Sequence, residues 1–270
     1  MKKRRNWYLT LGLALTIFML AFITVGFFYT PYDPAAVSGA DKFAPPSLHH
    51  PFGCDQMGRD MLSRTLEGAG STLVIALAVV AVGLVGGFLL GAFTGYYGGI
   101  ADVILMRLSD VIAAFPSILL ALVIIAVTEP GKSTVIIALG ILFVPSFARL
   151  VRGEFLKFRD REFIQAARLM GVSDLRIMLV HILPNTWPVL LSGITIGFNN
   201  AVLAEASMSF LGVGVTPPDA SLGRMLSEAR TYLFSTPWSV AFPALTVVLL
   251  ILGVGMIGEG LRERMGDGSC

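Results

Sequence analysis

Long apolar runs dominate the chain, and polar residues are confined largely to the segments between them. Six runs are long enough to cross about 30 Å of hydrocarbon as α-helices. Within each run apolar residues follow one another and do not alternate with polar ones, which excludes a transmembrane β-barrel. The pattern therefore predicts an all-α membrane protein with six transmembrane helices, at residues 9–29, 73–97, 103–127, 134–151, 187–212 and 238–258.

The composition agrees with a membrane location. Hydrophobic residues make up 55% of the 270 residues and charged residues only 14%, a balance that soluble globular domains do not normally have. The first run follows four basic residues, as a secretory signal peptide would. It is longer than a typical signal core, and the small residues 36–40 lie too far beyond it for cleavage, so we expect an uncleaved first span.

Basic residues are distributed unequally between the two sides of the membrane that six spans define. If the N-terminus is cytoplasmic, 14 of the 20 lysines and arginines lie inside, including Lys2 to Arg5. The positive-inside rule then predicts that both termini are cytoplasmic. Since these residues orient the chain and contact lipid headgroups, the net charge of +2 does not indicate nucleic-acid binding. Cys54 and Cys270 fall on opposite sides and cannot pair.

The segment of residues 160–184 is a charged, amphipathic stretch between two runs, on the cytoplasmic side in this topology. Its pattern predicts a helix over about residues 160–170, a turn at Gly171 and a second helix with Ser173 as its N-cap. Gly171 is suited to the turn because glycine adopts the left-handed conformation without strain. An ordinary pair of surface helices between two spans is the alternative interpretation.

The same segment resembles the cytoplasmic coupling loop of ABC-transporter permeases. Ala166-Ala167, then Gly171, then Leu183-Pro184 match the consensus of that loop, although Gln165 stands where the consensus has Glu. Alanines would allow a partner surface to approach the backbone closely. The resemblance implies that the residues in contact with an ATPase are Glu162, Gln165, Ala166, Ala167, Gly171, Ser173, Asp174 and Pro184.

Four further motifs resemble the family of dipeptide, oligopeptide and nickel permeases. They lie in the family's order at residues 50–64, 107–117, 203–212 and 214–218. The resemblance implies a type I ABC importer transmembrane domain with cytoplasmic coupling helices, of the kind that serves as the second permease subunit. Residues 1–68 would form an anchor helix and periplasmic loop, and residues 69–264 the transport domain.

The resemblance also implies partners and a location. The partners are a homologous second permease, two ATPase subunits that carry ATP and Mg, and an extracytoplasmic substrate-binding protein, assembled in the lipid of the bacterial inner membrane. The cargo would be a di- or oligopeptide, or alternatively nickel or a metal-chelate. The spans hold no cluster of His, Cys or Met that would bind a bare metal, which favours peptides.

This chain itself is expected to bind no cofactor and to catalyse no reaction. The sequence Gly131-Lys132-Ser133 lacks the earlier glycine of a phosphate-binding loop, because Ala126 occupies that position. An intramembrane enzyme would need a base or a metal site, and no span contains a histidine. A passive channel would not need an amphipathic segment on the cytoplasmic side.

Glycines and ionisable residues inside the runs predict contacts between helices. Arg107 and Asp110 lie three residues apart and are expected to form an ion pair, with Pro116 kinking the helix above them. Glycines four residues apart share one face of the second run and predict either a tight, sliding interface or plain structural packing. These glycines are Gly83, Gly87, Gly91, Gly95 and Gly99.

The fifth run and the segment after it contain polar residues whose role the sequence leaves open. A carboxylate is costly in a bilayer, so Glu205 either lines an aqueous pathway or bonds to a neighbouring helix. The candidate pathway residues are Asn199, Asn200, Glu205 and Ser209. The external residues 213–237, with a short helix expected at 221–234, would either contact the binding protein or cap the pathway.

Overall fold

Helices form almost all the regular structure in residues 7–266, the part of the chain that the computed structural model describes. Lys2 to Arg5 and Cys270 lie outside the described residues. In chain order the helices are α1 (Trp7–Phe28), α2 (Met61–Tyr97), α3 (Gly99–Ala113), α4 (Ser117–Val127), α5 (Lys132–Arg159), α6 (Glu162–Leu169), α7 (Asp174–Arg176), α8 (Leu183–Phe210), α9 (Leu222–Ala229) and α10 (Pro237–Gly266).

Five helical segments of the described chain are long and apolar enough to span a membrane, and α3 with α4 makes a sixth if the pair forms one bent span. The chain bends by 85° between these two helices. Pro116 causes the break, because its ring disfavours helical geometry in the residue before it. The kink predicted in the third run is therefore a sharp corner, and α4 starts again at Ser117.

Helix α2 begins earlier than the apolar pattern predicted, at Met61 and not at residue 73. Asp60 caps it, since its carboxylate accepts a hydrogen bond from the backbone N–H of Ser63 at 2.8 Å. The additional turns are amphipathic, so a search for apolar runs misses them. Residue 68 consequently lies inside α2, and the division of the chain after residue 68 stays a proposal.

Helices α2 and α5 lie in direct backbone contact along a face of glycines. A methyl group added at any of four positions would come within 2.7 Å of an atom of α5, which is closer than side chains approach each other. Without a hydrophobic effect between helices in lipid, such contact maximises van der Waals attraction. The four are Gly83, Gly87, Gly91 and Gly95; Gly99 instead opens α3 with a positive φ of 70°.

The predicted ion pair between Arg107 and Asp110 is wrong. Asp110 lies 3.3 Å from Arg149 on α5, whereas Arg107 is exposed. The face of α3 that carries Asp110 adjoins α5, so the partner comes from the neighbouring helix and not from the next turn. A closer contact between the same helices joins Asp102 to Arg152, whose guanidinium donates two hydrogen bonds of 2.5 and 2.7 Å to the carboxylate.

Buried charges hold the segment between α1 and α2 against α9. The Arg64 side chain is 4% exposed, and its guanidinium lies 2.5 Å from Asp55 and 3.0 Å from Glu228. Burial opposes the ionisation of Glu228, but Arg64, Arg59 and Arg224 outweigh it and lower the pKa of Glu228. Helix α9 occupies part of the helix expected at 221–234, and a 3₁₀ turn follows it.

We predict that Gly91→Ala destabilises the chain whereas Gly153→Ala does not. The new methyl group at Gly91 would lie 2.8 Å from Cβ of Val151, but a methyl group at Gly153, on α5, meets no atom within 4 Å. Overpacking costs about 1–3 kcal/mol, while alanine is favoured over glycine in a helix interior by about 1 kcal/mol. Thermal unfolding in detergent measures both variants, and equal midpoints would contradict the close contact.

Candidate coupling surface and cavity

The first arm of the hairpin formed by residues 160–184 is helix α6, which ends in a glycine turn. Gly171 adopts a φ of +76°, as the sequence predicts. The N–H of Val172 donates to the carbonyl of Ala167 at 3.1 Å and the N–H of Gly171 donates to the carbonyl of Arg168 at 3.0 Å. These bonds satisfy the last carbonyls of α6 and reverse the chain.

The second helix expected after Ser173 is not separate from the span expected at 187–212, because the two are continuous. The short α7 continues through a π-helical segment, Ile177–Ile182, into α8. Residues from Asp174 to Phe210 thus form one helical segment long enough to span a bilayer. Pro184 lies in the first turn of α8. Ser173 has the extended backbone of an N-cap, but its side chain makes no capping bond.

Tyr96, the penultimate residue of α2, joins both arms of the hairpin. Its hydroxyl donates a hydrogen bond of 2.6 Å to Asp174, and it accepts one of 3.3 Å from Arg168. The Arg168 guanidinium also lies 4.9 Å from the centre of the Tyr96 ring, within range of a cation–π contact. Sequence reasoning missed this residue, although a tyrosine at the end of an apolar run is typical of a membrane interface.

The predicted contact residues of the hairpin divide into buried and exposed groups. Ala167 is only 3% exposed and packs with Ile164, Ile177 and Phe155, so it supports the hairpin and is not open to a partner. The other predicted contact residues are all exposed: Glu162, Gln165, Ala166, Gly171, Ser173, Asp174 and Pro184.

Three apolar side chains at the tip of the hairpin are exposed and were not predicted. Leu169 is 90% exposed, Met170 76% and Leu175 64%. They lie directly before the turn at Gly171 and four residues after it, so the tip exposes apolar side chains above a base that is itself packed. Such an exposed apolar patch, rimmed by charged residues, is typical of a protein–protein contact. We call Leu169, Met170 and Leu175 the apolar tip.

A cavity of about 520 Å³ lies between α4, α5 and α8. Its wall is largely apolar, but four neutral polar side chains face it: Ser117, Ser146, Asn200 and Ser207. Of the four candidate pathway residues, only Asn200 lines this cavity. Asn199 lies on another face of α8, against Gly255 of α10.

Glu205 and Ser209 are enclosed by the chain and do not line the cavity. Glu205 is fully buried and accepts hydrogen bonds from Thr72 at 2.9 Å and from Ser209 at 2.7 Å. The Thr72 and Ser209 hydroxyls accept in turn from the backbone N–H groups of Leu222 and Val215. Glu205 therefore joins α8 to α2 and to the start of α9, which is the second of the two roles that the sequence left open.

Residues 87–266 match the family described as "Binding-protein-dependent transport system inner membrane component". The chain is 38% identical over 252 residues to the dipeptide transport system permease protein DppC of Alkalihalophilus pseudofirmus, covering 92% of this chain and 83% of the relative. It is 40% identical over 259 residues to the glutathione transport system permease protein GsiD of Escherichia coli, covering 94% and 86%. These matches confirm the prediction of a transport component and not an enzyme.

A di/tripeptide transport system permease protein DppC of Pseudomonas aeruginosa is 37% identical over 258 residues, which is 92% of this chain and 85% of the relative. Among solved structures, the inward-facing MetNI methionine ABC transporter superposes with a TM-score of 0.64 at 21% identity. The superposition covers 75% of this chain and 97% of the other. It confirms the predicted fold class, the transmembrane domain of a type I importer.

We predict that Glu205→Gln leaves folding and transport nearly normal, whereas Glu205→Ala lowers the amount of folded protein. Glutamine can accept from one hydroxyl and donate to the other. Alanine leaves two buried hydroxyls without their acceptor, at a cost of about 1–3 kcal/mol for each unsatisfied group. Size-exclusion chromatography of the detergent extract measures the folded fraction, with Asn200→Ala as the exposed control. Normal yield for Glu205→Ala would contradict the structural role.

Proposed function

Since the chain belongs to the family of binding-protein-dependent transport system inner membrane components, we propose that it is the permease subunit of an ATP-driven importer of di- and oligopeptides. The observation that carries the proposal is the identity of 37–40% to permeases named for dipeptides, di/tripeptides and glutathione, over more than nine tenths of this chain. The nickel or metal-chelate alternative has no such support.

In this proposal the apolar tip and the exposed residues around it bind an ATPase subunit. Leu169, Met170 and Leu175 offer the ATPase apolar surface to bury, and the exposed Ala166 lets it approach the backbone of α6. Glu162 and Gln165 lie exposed on the same helix and extend this surface. ATP and Mg belong to the two ATPase subunits, and this chain contributes the surface that they move.

In this proposal the base of the hairpin transmits the movement of the ATPases to the spans. Tyr96 links Arg168 and Asp174, one from each arm, to the end of α2. The second arm runs without interruption into α8, which carries Asn200 in the cavity wall. A displacement of the tip therefore reaches the cavity through continuous helix and not through a flexible linker.

The remaining partners follow from the same assignment. A homologous second permease would supply the opposite wall of the cavity, and an extracytoplasmic binding protein would deliver peptide at the end remote from the hairpin. In the bacterial inner membrane the excess of basic residues orients both termini and the hairpin toward the cytoplasm. Residues 1–68, of which 61–68 form the start of α2, serve as anchor and external segment, and residues 69–264 as the transport core.

We predict that a strain lacking this chain loses uptake of a labelled tripeptide and keeps uptake of nickel. A plasmid copy of the chain should restore the peptide rate, and initial rates of uptake measure both cargoes. Loss of nickel uptake with an unchanged peptide rate would contradict the peptide assignment and leave the importer assignment intact.

We predict that Leu169→Asp combined with Met170→Asp separates the permease from its ATPases. Both side chains are exposed, so the substitutions cost the fold little. Loss of central apolar anchors costs an interface about 2 kcal/mol or more, which lowers retention of the ATPases at least about tenfold. Co-purification in detergent measures the retained ATPase.

The control is Leu48→Asp, a change of the same kind at a fully exposed leucine in the segment between α1 and α2. It should retain the ATPases at the wild-type level. If the double variant also retains them and imports peptide at the wild-type rate, the hairpin is not the coupling surface.

A further inference from the structure

The polar side chains in the cavity wall are neutral, and three of them have no hydrogen-bond partner within the described chain. Ser117, Ser146 and Asn200 are exposed to the cavity and bond to no other residue that the structure describes. Only Ser207 is satisfied, since its hydroxyl donates to the carbonyl of Leu203 at 2.7 Å. A polar group in a membrane span that lacks a partner is costly unless water or a ligand supplies one.

No charged side chain of the described residues lines the cavity wall, although the neighbouring spans contain charged residues. None of the residues that line the cavity is ionisable. Arg152 is paired with Asp102, and Arg149 with Asp110, on the side of α5 that faces α3. Glu205 is closed off inside the chain. The fold thus keeps the charges of its spans out of the cavity and leaves neutral donors and acceptors in it.

The spacing of the polar groups on α8 suits an extended peptide. Asn200 and Ser207 are seven residues apart, about 10.5 Å along the helix axis, and about three residues of an extended chain cover that distance. Ala204, between these two residues, lines the cavity with a small side chain, whereas Leu150 and Phe147 of α5 fill the space in front of Gly193 and Gly197. An extended backbone that runs along α8 past Ala204 can therefore reach both Asn200 and Ser207.

We propose that the cavity recognises the peptide backbone through these neutral side chains and passes peptides without regard to the charge of their side chains. The proposal rests on the proposed function. Asn200 can accept from an amide N–H and donate to a carbonyl, the hydroxyls of Ser117 and Ser146 can do either, and that of Ser207, which already donates to Leu203, can accept. A charged group in a wall of low dielectric would favour one sign of cargo and reject the other. Any selection between peptides by the charge of their side chains is then made by the binding protein.

The test compares three labelled tripeptides, Ala-Ala-Ala, Ala-Lys-Ala and Ala-Glu-Ala, in proteoliposomes that contain the complete transporter. Each is presented on saturating, fully loaded binding protein, so that the permease step is compared. Wild-type initial rates should agree within about threefold. Ser146→Asp and Asn200→Asp should each raise the ratio of the lysine to the glutamate peptide by about tenfold or more, and Ser146→Lys should lower it by as much.

Ser192→Asp is the matched control, because Ser192 lies on α8 outside the cavity wall and should leave the ratio unchanged. Retention of the ATPases reports correct assembly of each variant. The proposal is overturned if assembled variants slow all three peptides equally, or if the wild type already discriminates by charge more than about tenfold. If the wild type imports none of the peptides, the proposed function itself fails.

Discussion

The close contact between α2 and α5 is the constraint on which both candidate sites depend. Four glycines bring α5 against the backbone of α2, and the residues they meet belong to the two sites. Phe143 and Phe147, opposite Gly83, line the cavity, whereas Phe155, opposite Gly95, lies in the core under the hairpin. One helix pair therefore sets the position of the cavity wall and of the hairpin base.

This arrangement ties the hairpin and the cavity wall to the same pair of helices. Packed helices without side chains between their backbones have little freedom to deform and move as units. The π-helical segment between α7 and α8 is the irregular point in the connection between hairpin and cavity, and such segments occur often at functional sites. From Asp174 to Phe210 the second arm and α8 thus form one continuous helical segment, in which the π-helical residues replace regular α-helical geometry.

Two groups of polar residues in the spans differ in whether the protein completes their hydrogen bonds. Glu205 and the pair of Asp102 with Arg152 are satisfied within the chain, and they fix helices to one another. Ser117, Ser146 and Asn200 face the cavity without a protein partner in the described residues. The first group has a structural role because its hydrogen bonds are complete, and the second can still bond to another group because its bonds are not.

The sequence alone determined the membrane class, the main apolar spans, the glycine face of α2 and the turn at Gly171. Each of these depends on properties that residues carry locally: hydropathy, helical period and the freedom of glycine at positive φ. The motifs of the hairpin also indicate the family, because they are a matter of residue identity and spacing. Amphipathic extensions do not stand out by hydropathy, so the predicted start of α2 came too late.

Tertiary structure alone decided which residue meets which. Whether Asp110 pairs with Arg107 or Arg149, and whether Glu205 faces a cavity or a helix, depends on how neighbouring helices are rotated and placed. The burial of Ala167 beside the exposed Ala166 has the same origin. The helical period shows which residues of a helix share a face. The residues that this face contacts lie far along the chain, and only the packing of the helices brings them together.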